Sequence, residues 1–551
     1  MTTSDYLNVI IYIVALFSLS PFLGSYIATV LDKNYDGKLE AMIYKILHID
    51  TSEQNAKDYL KTLLIFHIAG FILFFIVIKN PFGARESMSW HLAFNTAISF
   101  ITNTNWQAYS GEVSLSPLAQ MLGPTVQNFL SAASGIAVMA ALVRGLRNRE
   151  TPLLGNFWRD ITRSIIYILL PLSLLLSVVL IASGVVQTLK DHTVVETLEA
   201  KTASVLPLGP VASQVAIKQL GTNGGGFFGV NSAHPYENPT PFSNFCQSLS
   251  ILLIPCALIF TFGFMLKRRK QAVVIFSVVT LFWLLGLGVS LYGEHQVNPA
   301  LESHHFIEGK EIRFSRTEAV IWATATTAAS NGSVNAMHSS LSPLSGLVAL
   351  FNMMTGEIIY GGVGSGMYGM ILFVILTVFL SGLMVGRTPE YLQKKIDAFD
   401  MKWTIIALIV PICTILLGSA ISIHLETGLA SRSNFGPHGL SEILYAWTSA
   451  GGNNGSAFAG LNANTAFYNI LLGIAMLLGR FGVIIPALLI AGNFSQKKLM
   501  QDCPNQMCTD SLTFGCMLFS VILIVGALTF FPALLLGPIV EHLLMMMARC
   551  F

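Results

Sequence analysis

The stretch that decides the fold is Gln219-Leu-Gly-Thr-Asn-Gly-Gly-Gly-Phe-Phe228, which ends an apolar segment too short to cross a membrane. A spanning helix needs about 20 apolar residues. The same order, a short apolar segment followed by small polar residues, recurs three more times in the chain, with glycine among the polar residues in two of them. The three counterparts are residues 91–107, 319–333 and 441–458.

The glycine and asparagine turns of these segments recur at a nearly constant spacing. When the four turns are aligned, they lie 119, 108 and 123 residues apart, at Asn105, Gly224, Gly332 and Gly455. Each turn stands between two long apolar stretches. The spacing predicts one unit, a helix, a pore loop and a second helix, that is used four times with an extra span at each end.

Composition agrees with a chain that lies mostly in lipid. Of its 551 residues, 53% are hydrophobic and 11% are charged, whereas a soluble protein carries about 25% charged residues. We therefore predict an all-α membrane protein with ten transmembrane helices in four pseudo-symmetric repeats. The predicted spans are 7–31, 60–78, 118–142, 161–186, 243–266, 272–292, 366–386, 403–423, 466–491 and 512–539. The predicted segments are an extra N-terminal span and loop (1–59), the repeats 60–146, 161–270, 271–400 and 401–500, and an extra C-terminal span (501–551).

Charge sets the expected orientation. Most of the 31 Lys and Arg residues lie in the short connections that follow the odd-numbered spans, and cytoplasmic loops carry such an excess. We therefore expect these connections in the cytoplasm and both termini outside, which agrees with an even number of spans. The net charge of +2 favours neither nucleic acid nor a strongly acidic partner.

The four loops predict a filter for a monovalent cation, most simply K⁺. Non-helical backbone at membrane depth is tolerated only where it is buried in protein or lines a watery path. Four such loops on one axis place carbonyl groups where a desolvated cation can bind. One Gly/Asn turn alone is more often an ordinary loop, but four turns in register favour the filter. The candidate filter residues are Thr104, Asn105, Thr222, Asn223, Gly224, Ser330, Asn331, Gly332, Asn453, Asn454 and Gly455, with Gln107 expected to support them.

Longer strings around the turns resemble a known family. Together they are similar to the A subunit of the bacterial Kdp potassium-transporting ATPase, over essentially the whole chain. One departure is Gln393, where the family usually has glycine; it lies in an expected cytoplasmic loop. The strings that carry the resemblance are residues 103–112, 221–239, 330–338, 386–392 and 451–460.

The resemblance implies a fold similar to that of the Trk/Ktr/HKT potassium channels and a place in a four-subunit complex of the bacterial inner membrane. The A subunit would select K⁺ from outside and pass it to the B subunit, a P-type ATPase that works through an aspartyl phosphate. The other expected partners are the C subunit, a small single-span protein of the complex and membrane lipids. This chain has neither an Asp-Lys-Thr-Gly motif nor a P-loop, so we expect a non-catalytic role with K⁺ as its ion and no organic cofactor.

The stretch 346–386 predicts a broken helix. Its 41 residues would extend about 60 Å as one helix, twice the hydrocarbon thickness of about 30 Å. Glycines, Gly364 among them, cluster in its middle. We predict that the second helix of the third repeat is interrupted below the filter, which the resemblance also favours; the alternative is a long outside turn before the seventh span.

Three charged residues complete the expected gate. Arg480 lies inside the ninth span, Arg387 ends the seventh, and Glu357 lies in the glycine-rich stretch. A charge at membrane depth is costly and needs a partner or a cavity. Arg480 could pair with Glu357, and it could also repel K⁺ from the cytoplasmic exit; the alternative is an ion pair that serves packing alone.

Other function classes fit less well. The nearest is an autonomous Trk/Ktr-type channel, against which stand the family-specific strings and the two extra spans. A secondary transporter would need inverted repeats, whereas these four repeats share one orientation. A membrane enzyme would need a set of nucleophile, base and orienting residue, and the sequence shows none.

Overall fold

The structure is a computed structural model that describes residues 1–33, 35–79, 88–199, 201–299, 306–500 and 508–549. Within these ranges, ten helices are long and apolar enough to cross a membrane, which confirms the predicted class. We number them as spans one to ten. They are Thr3–Leu31, Ala56–Lys79, Pro117–Arg147, Phe157–Ala182, Pro241–Met265, Arg269–His295, Ser365–Met384, Ala398–His424, Ala466–Gln496 and Thr529–Met546.

Four shorter helices lie between spans two and three, four and five, six and seven, and eight and nine. We number them as pore helices one to four: Trp90–Ile101, Val211–Leu220, Arg316–Ala328 and Gly436–Gly451. The order of span, pore helix and returning helix therefore occurs four times, with span one before the first repeat and span ten after the last.

The returning helix of the third repeat is broken, as predicted. It begins as Pro343–Met354 and resumes as Ser365–Met384, and the break between them is residues 355–364. Ser342 caps the first piece through its side chain, and Pro343 occupies its first turn, where a missing N–H costs nothing. The second piece begins after Gly364, whose φ of +83° suits glycine.

Span ten differs from its predicted bounds of 512–539. Helical turns run from 512 to 546, but π-helical turns occur at Leu523–Leu528 and Leu535–Ile539, and the run is kinked at Gly537, whose backbone is not helical. Pro532 and Pro538 lie in this run and lack the N–H that an α-helix needs, which accounts for the irregular turns. The predicted C-terminal segment 501–551 begins and ends outside the described residues.

Strands and short helices connect the main elements. The strand pairs are Gln54–Asn55 with Leu153–Gly155, His192–Glu196 with Ala203–Pro207, and Glu390–Tyr391 with Lys394–Lys395. The short α-helices are Lys38–Ile46, Gly111–Ser114 and Glu426–Leu429, the 3₁₀ turns are Asn231–Ala233 and His338–Ser340, and π turns within spans three and four are Met121–Thr125 and Ser164–Leu169.

Burial separates central from peripheral spans. In the most apolar part of span three, 89% of the residues are buried within the protein, against 22% in spans one and two. A helix that is buried on every side lies in the core, and one with an exposed apolar face meets lipid. Span three is therefore central. Span one attaches to the second repeat, where the Tyr12 hydroxyl donates to the Ser248 carbonyl at 2.9 Å.

Candidate functional site

All four pore helices end in the same way. The residue after the helix cap is left-handed and is not glycine: φ is 63° at Asn103, 49° at Thr222, 52° at Ser330 and 59° at Asn453. The following N–H bonds the carbonyl five residues earlier, as in a Schellman motif. These bonds are Thr104 to Ser99 (3.0 Å), Asn223 to Lys218 (2.9 Å), Asn331 to Thr326 (3.1 Å) and Asn454 to Ser449 (2.8 Å).

The recurring motif confirms the register of the repeats. The four left-handed residues lie two positions before Asn105, Gly224, Gly332 and Gly455, so they keep the spacing of the aligned turns. We call residues 103–105, 222–224, 330–332 and 453–455 the four-loop junction. A left-handed residue other than glycine costs roughly 1–2 kcal/mol, so each needs support from its surroundings.

Support for the first and second loops comes from the Asn103 side chain. Its Nδ2 donates to the carbonyls of Gly221 (3.3 Å) and Thr222 (3.1 Å). Its Oδ1 accepts bonds from Asn223 Nδ2 at 2.5 Å and from Ser131 Oγ at 2.7 Å. One amide thus joins two loops and attaches both to span three.

The remaining neighbours are joined by comparable bonds. Between the second and third repeats, Ser333 Oγ donates to Gln219 Oε1 at 2.8 Å. Between the third and fourth, Ser330 Oγ donates to the Asn453 carbonyl at 2.9 Å. The Asn453 side chain closes the ring, because its Nδ2 donates to Thr104 Oγ1 at 3.0 Å.

Glycine allows the loops to approach this closely. A Cβ at Gly224 would lie 2.6 Å from the Thr104 carbonyl oxygen, and one at Gly332 would lie 2.6 Å from the carbonyl carbon of Gly455. A Cβ at Gly455 would overlap the Thr104 oxygen, and φ there is +96°. The structure therefore brings all eleven predicted filter residues into one buried ring in which each loop contacts the next.

The ring contains buried carbonyl groups without hydrogen bonds. Asn105, Gly224, Gly332 and Gly455 are buried, and no hydrogen bond from a described residue reaches their carbonyl oxygens. The Oδ1 atoms of Asn105 and Asn223 are also buried and without a partner in the described part of the chain. Burying such an oxygen unpaired is costly, and a desolvated cation can bond it instead.

Gln107 lies where support for the loops was predicted. Its Oε1 accepts the Gly226 N–H at 2.8 Å, and its Nε2 donates to the Tyr109 hydroxyl at 3.1 Å. The side chain therefore connects the first loop to the glycine run of the second.

Other polar residues at the junction were missed by the sequence analysis. Span three contributes Ser131 and also Asn128, whose Oδ1 accepts a bond from Asn105 Nδ2. Pore helix two contributes Gln219, whose Oε1 accepts from Asn331 at 3.4 Å as well as from Ser333. The spacing of Asn128 and Ser131, three residues apart within an apolar span, was a usable signal, because such residues share one helix face.

The break of the third repeat lies directly against the junction. The Val363 N–H donates to Thr222 Oγ1 at 2.9 Å, and the Gly361 N–H donates to the Ala328 carbonyl at 2.9 Å. A Cβ at Gly364 would overlap the Gly135 carbonyl of span three. The break thus occupies the space between the C-terminal ends of the pore helices and the central span.

The predicted gate residues do not all come together. Glu357 is 5% exposed and faces the side chains of Ser330 and Asn454. Arg480 is 3% exposed, and its Nε and Nη2 have no hydrogen-bond partner among the described residues.

The direct pair considered for Glu357 and Arg480 does not form. No ion pair within 4 Å joins them in the described ranges, although their charges interact at longer range. Arg387 is exposed beyond the end of span seven and is not part of the buried junction.

Comparison with known proteins shows similarity to one family along nearly the whole chain. Residues 10–543 match the family model described as potassium-transporting ATPase A subunit. The chain belongs to this family. Among its relatives is the "Potassium-transporting ATPase potassium-binding subunit" of Leptospira interrogans, 51% identical over 98% of this chain and 99% of the relative. The protein of that name from Pseudomonas aeruginosa is 51% identical over 97% of this chain and 98% of its own length.

A solved structure supports the same architecture. The potassium transporter TrkH from Vibrio parahaemolyticus matches this member of the A subunit family with a TM-score of 0.51 at 15% identity. The match covers 90% of this chain and 100% of that one. At this identity the likeness concerns the fold, and it confirms the fold class expected from the four repeats.

Proposed function

We propose that this chain is the potassium-binding subunit of an ATP-driven K⁺ uptake complex and that it selects K⁺ at the four-loop junction. The observation that carries the proposal is the closed ring of four loops with buried carbonyl oxygens that accept no hydrogen bond from the described residues. Membership in the A subunit family supports the choice of K⁺ as the ion.

The geometry suits selection by size. Carbonyl oxygens replace the water around a cation only if the surrounding loops hold them at a suitable separation. Here each left-handed residue lies in a loop that is bonded to its neighbour, so a loop cannot retreat alone. The ring thereby holds the binding oxygens in place against collapse around a smaller cation.

The arrangement below the ring favours a sideways path. The break 355–364 contacts the junction through Val363 and Thr222, and Arg480 Nη2 lies close to Gly135, the glycine of span three that faces the break. In this proposal both lie on the inner side of the junction, where a straight exit would run. A cation there meets both a wall of backbone and a positive charge. In this proposal K⁺ leaves the junction toward a partner protein of the complex, and Gly364, Glu357 and Arg480 form the barrier.

The rest of the complex follows from the same proposal. ATP hydrolysis belongs to the B subunit, a partner P-type ATPase, and the complex also contains the C subunit and a small single-span protein. This chain contributes no catalytic residue and no organic cofactor. It lies in the bacterial inner membrane among lipids, with both termini outside, as the distribution of Lys and Arg indicates.

Glycine substitutions at the junction test the site. We expect Gly332→Ala to raise the K⁺ concentration for half-maximal uptake at least tenfold, because its Cβ has no room between Gly455 and Gly224. Gly288→Ala is the matched control, since a Cβ at Gly288 meets no atom within 4 Å. Uptake of K⁺ and Rb⁺ is measured in cells that depend on the complex. Unchanged affinity and selectivity in Gly224→Asp, Gly332→Asp and Gly455→Asp would remove the filter assignment.

A second experiment distinguishes a component of a pump from a free-standing channel. The purified chain is reconstituted without partners in K⁺-loaded liposomes, and efflux is followed with a proton carrier present. We expect no efflux at channel rates, because one K⁺ moving through 100 mV is worth about 2.3 kcal/mol and a leak would dissipate what ATP hydrolysis builds. Rapid efflux that junction substitutions block would favour the autonomous channel.

A further inference from the structure

One position differs in kind among the four pore helices. It is the residue whose carbonyl accepts the bond that closes each pore helix. In three repeats this residue carries a hydroxyl, and in the second it is a lysine. The four are Ser99, Lys218, Thr326 and Ser449.

The three hydroxyls hold the loop that follows them. Ser99 Oγ donates to the Trp106 carbonyl at 3.0 Å, and Thr326 Oγ1 donates to the Ser333 carbonyl at 2.8 Å. Ser449 Oγ accepts the Gly455 N–H at 2.9 Å. A short side chain at this position therefore restrains the backbone at the last residue of the junction or one residue beyond it.

Lys218 reaches further and bonds side chains instead. Its Nζ donates to Asn231 Oδ1 (2.7 Å), Ser232 Oγ (2.9 Å) and Glu237 Oε2 (2.6 Å). These bonds use all three N–H groups of the ammonium. The side chains of Lys218 and Glu237 are 1% and 0% exposed, so the ion pair is fully buried.

Glu237 performs the restraint that the lysine does not. Its Oε1 accepts the Phe228 N–H at 3.0 Å, and a Cβ at Gly226 would lie 2.7 Å from the same oxygen. The carboxylate thus contacts the second loop from two to four residues beyond Gly224. This loop contains three consecutive glycines, which allow more backbone freedom than other residues, so it is the loop that most needs a restraint.

The charges matter because the site next to them binds a cation. A buried charge that loses its partner remains uncompensated in a medium of low polarity. Without Glu237, the ammonium of Lys218 would stand at the end of a pore helix with no opposite charge in contact, because the sole ion pair of Lys218 with a described residue is with Glu237.

We propose that Lys218 and Glu237 form a positioning pair that determines K⁺ affinity: Glu237 fixes the second loop and cancels a lysine charge that would repel K⁺. This inference rests on the proposed function, since it deepens the assignment of the junction as the K⁺ site. It adds two positioning residues that are not themselves expected to touch the ion.

The test compares single and double substitutions in the complete complex with its ATPase partner. We expect Glu237→Gln, which keeps the shape and removes the charge, to raise the K⁺ concentration for half-maximal ATPase activity at least tenfold. The maximal rate should change less than threefold. The double variant Lys218→Met/Glu237→Gln should recover at least half of the lost affinity on a logarithmic scale, because the repelling charge leaves with its partner.

A matched control is available in another buried pair. Lys310 Nζ lies 3.2 Å from Glu294 Oε2, with exposures of 5% and 0%, and Glu294 Oε1 accepts the Ser342 N–H away from the junction. Glu294→Gln removes the same kind of charge and should leave K⁺ affinity unchanged. If both substitutions move K⁺ affinity equally, or if the double variant binds K⁺ no better than Glu237→Gln, the pair is merely structural and the proposal fails.

Two further variants keep the outcome decisive. If Glu237→Gln does not assemble, Glu237→Asp retains the charge and should keep K⁺ affinity closer to the unsubstituted complex than Glu237→Ala does; equal losses overturn the pair. Gly332→Ala, measured in parallel, separates the two proposals. If Gly332→Ala also leaves affinity unchanged, the junction itself is not the site. If only the Glu237 variants are without effect, the junction stands and the positioning pair is wrong.

Discussion

The returning helices of the third and fourth repeats use glycine in opposite ways. In the third repeat, Gly361 and Gly364 have φ values of +68° and +83° and interrupt the helix. In the fourth, Ala466–Gln496 runs for 31 residues without a break, and its Gly479 is helical. A Cβ at Gly479 would overlap the Gly451 carbonyl at the end of pore helix four. One repeat uses the freedom of the glycine backbone, and the other uses the missing side chain for close packing.

The break of the third repeat and the unbroken helix of the fourth both approach Gly135 of span three. A Cβ at Gly135 of span three would overlap the Val363 carbonyl of the break and would lie 3.3 Å from Arg480 Nη2 of the unbroken helix. A continuous helix in the third repeat could not direct the Gly361 N–H at the end of pore helix three or the Val363 N–H at the junction, because its own carbonyls would accept them. One repeat therefore places backbone against span three, and the next places a charged side chain beside the same point.

The largest effect should come from filling the break. Gly364→Ala places a Cβ onto the Gly135 carbonyl and also strains the left-handed backbone. We expect a destabilisation of at least about 3 kcal/mol, as for overpacking combined with backbone strain, and loss of K⁺ uptake. Thermal unfolding and uptake of the assembled complex measure both.

Gly356→Ala controls for backbone strain. Gly356 has φ of +84° in the same break, but a Cβ there meets no atom within 4 Å. We expect it to cost only about 1 kcal/mol and to retain uptake. If both alanine variants behave alike, contact with span three is not what the break requires.

The next largest effect should come from removing the charge of Arg480 in the fourth repeat. Arg480→Ala should raise ATP-independent K⁺ leak if the guanidinium closes the inner exit, and Arg480→Lys should keep the leak low because it keeps the charge. Proteoliposomes that contain the whole complex give the flux. If leak stays at background while the variant unfolds more readily, Arg480 is structural.

A smaller effect should follow from loosening the break without filling it. Thr222→Val removes the hydroxyl that accepts the Val363 N–H but keeps the side-chain shape. We expect a loss of about 1 kcal/mol in the free energy of unfolding and a modest rise in leak. Thr377→Val is the control, because the one hydrogen bond of the Thr377 hydroxyl with a described residue is to its own helix, at the Phe373 carbonyl. Equal leak in both variants would contradict a gating role for the Thr222 contact.

The smallest effect concerns an ion pair between pore helix four and span ten. His438 Nδ1 of pore helix four lies 2.8 Å from Glu541 Oε1 of span ten. Burial lowers the pKa of His438, but the hydrogen bond and charge of Glu541 outweigh it and raise the pKa above its usual value of 6.5. Because the pKa of His438 is raised, the stabilisation from this ion pair is fully present below pH 6.5 and is lost as the pH rises through the folded-state pKa.

The pH dependence gives the measurement. We expect the unfolding temperature of the complex to fall slightly between pH 6 and pH 8.5, and His438→Gln should remove that part of the fall. If the substituted complex keeps the same dependence on pH, the His438–Glu541 contact does not contribute.

Much of the architecture was predictable because it depends on local composition. Hydropathy located the spans, and the turns at Asn105, Gly224, Gly332 and Gly455 gave the register that the left-handed residues confirm. Length, glycine content and the family resemblance together favoured a break in the third repeat over a long outside turn, and the structure has the break.

The sequence could not predict which residues of neighbouring loops and helices contact one another. Asn103 bonds Thr222, a residue 119 positions away, and no local pattern predicts which of several amides will face the next loop. Hydropathy also placed Glu357 and Arg480 at membrane depth but could not show that they fail to pair. The π turns of span ten depend on prolines whose effect varies with the neighbouring helices.

Linking the four repeats in one polypeptide has a consequence for symmetry. In a ring of four identical chains every interface must be the same, so any substitution appears four times. Here the interfaces are chemically distinct, joined by Asn103, Gln219 with Ser333, Ser330 and Asn453 in turn. A single covalent chain can therefore hold one lysine, one interrupted helix and one arginine around an otherwise four-fold opening. The four sides of the ring therefore differ, so that a transported ion can leave preferentially toward one side in the membrane plane. A symmetric ring offers four equivalent sides.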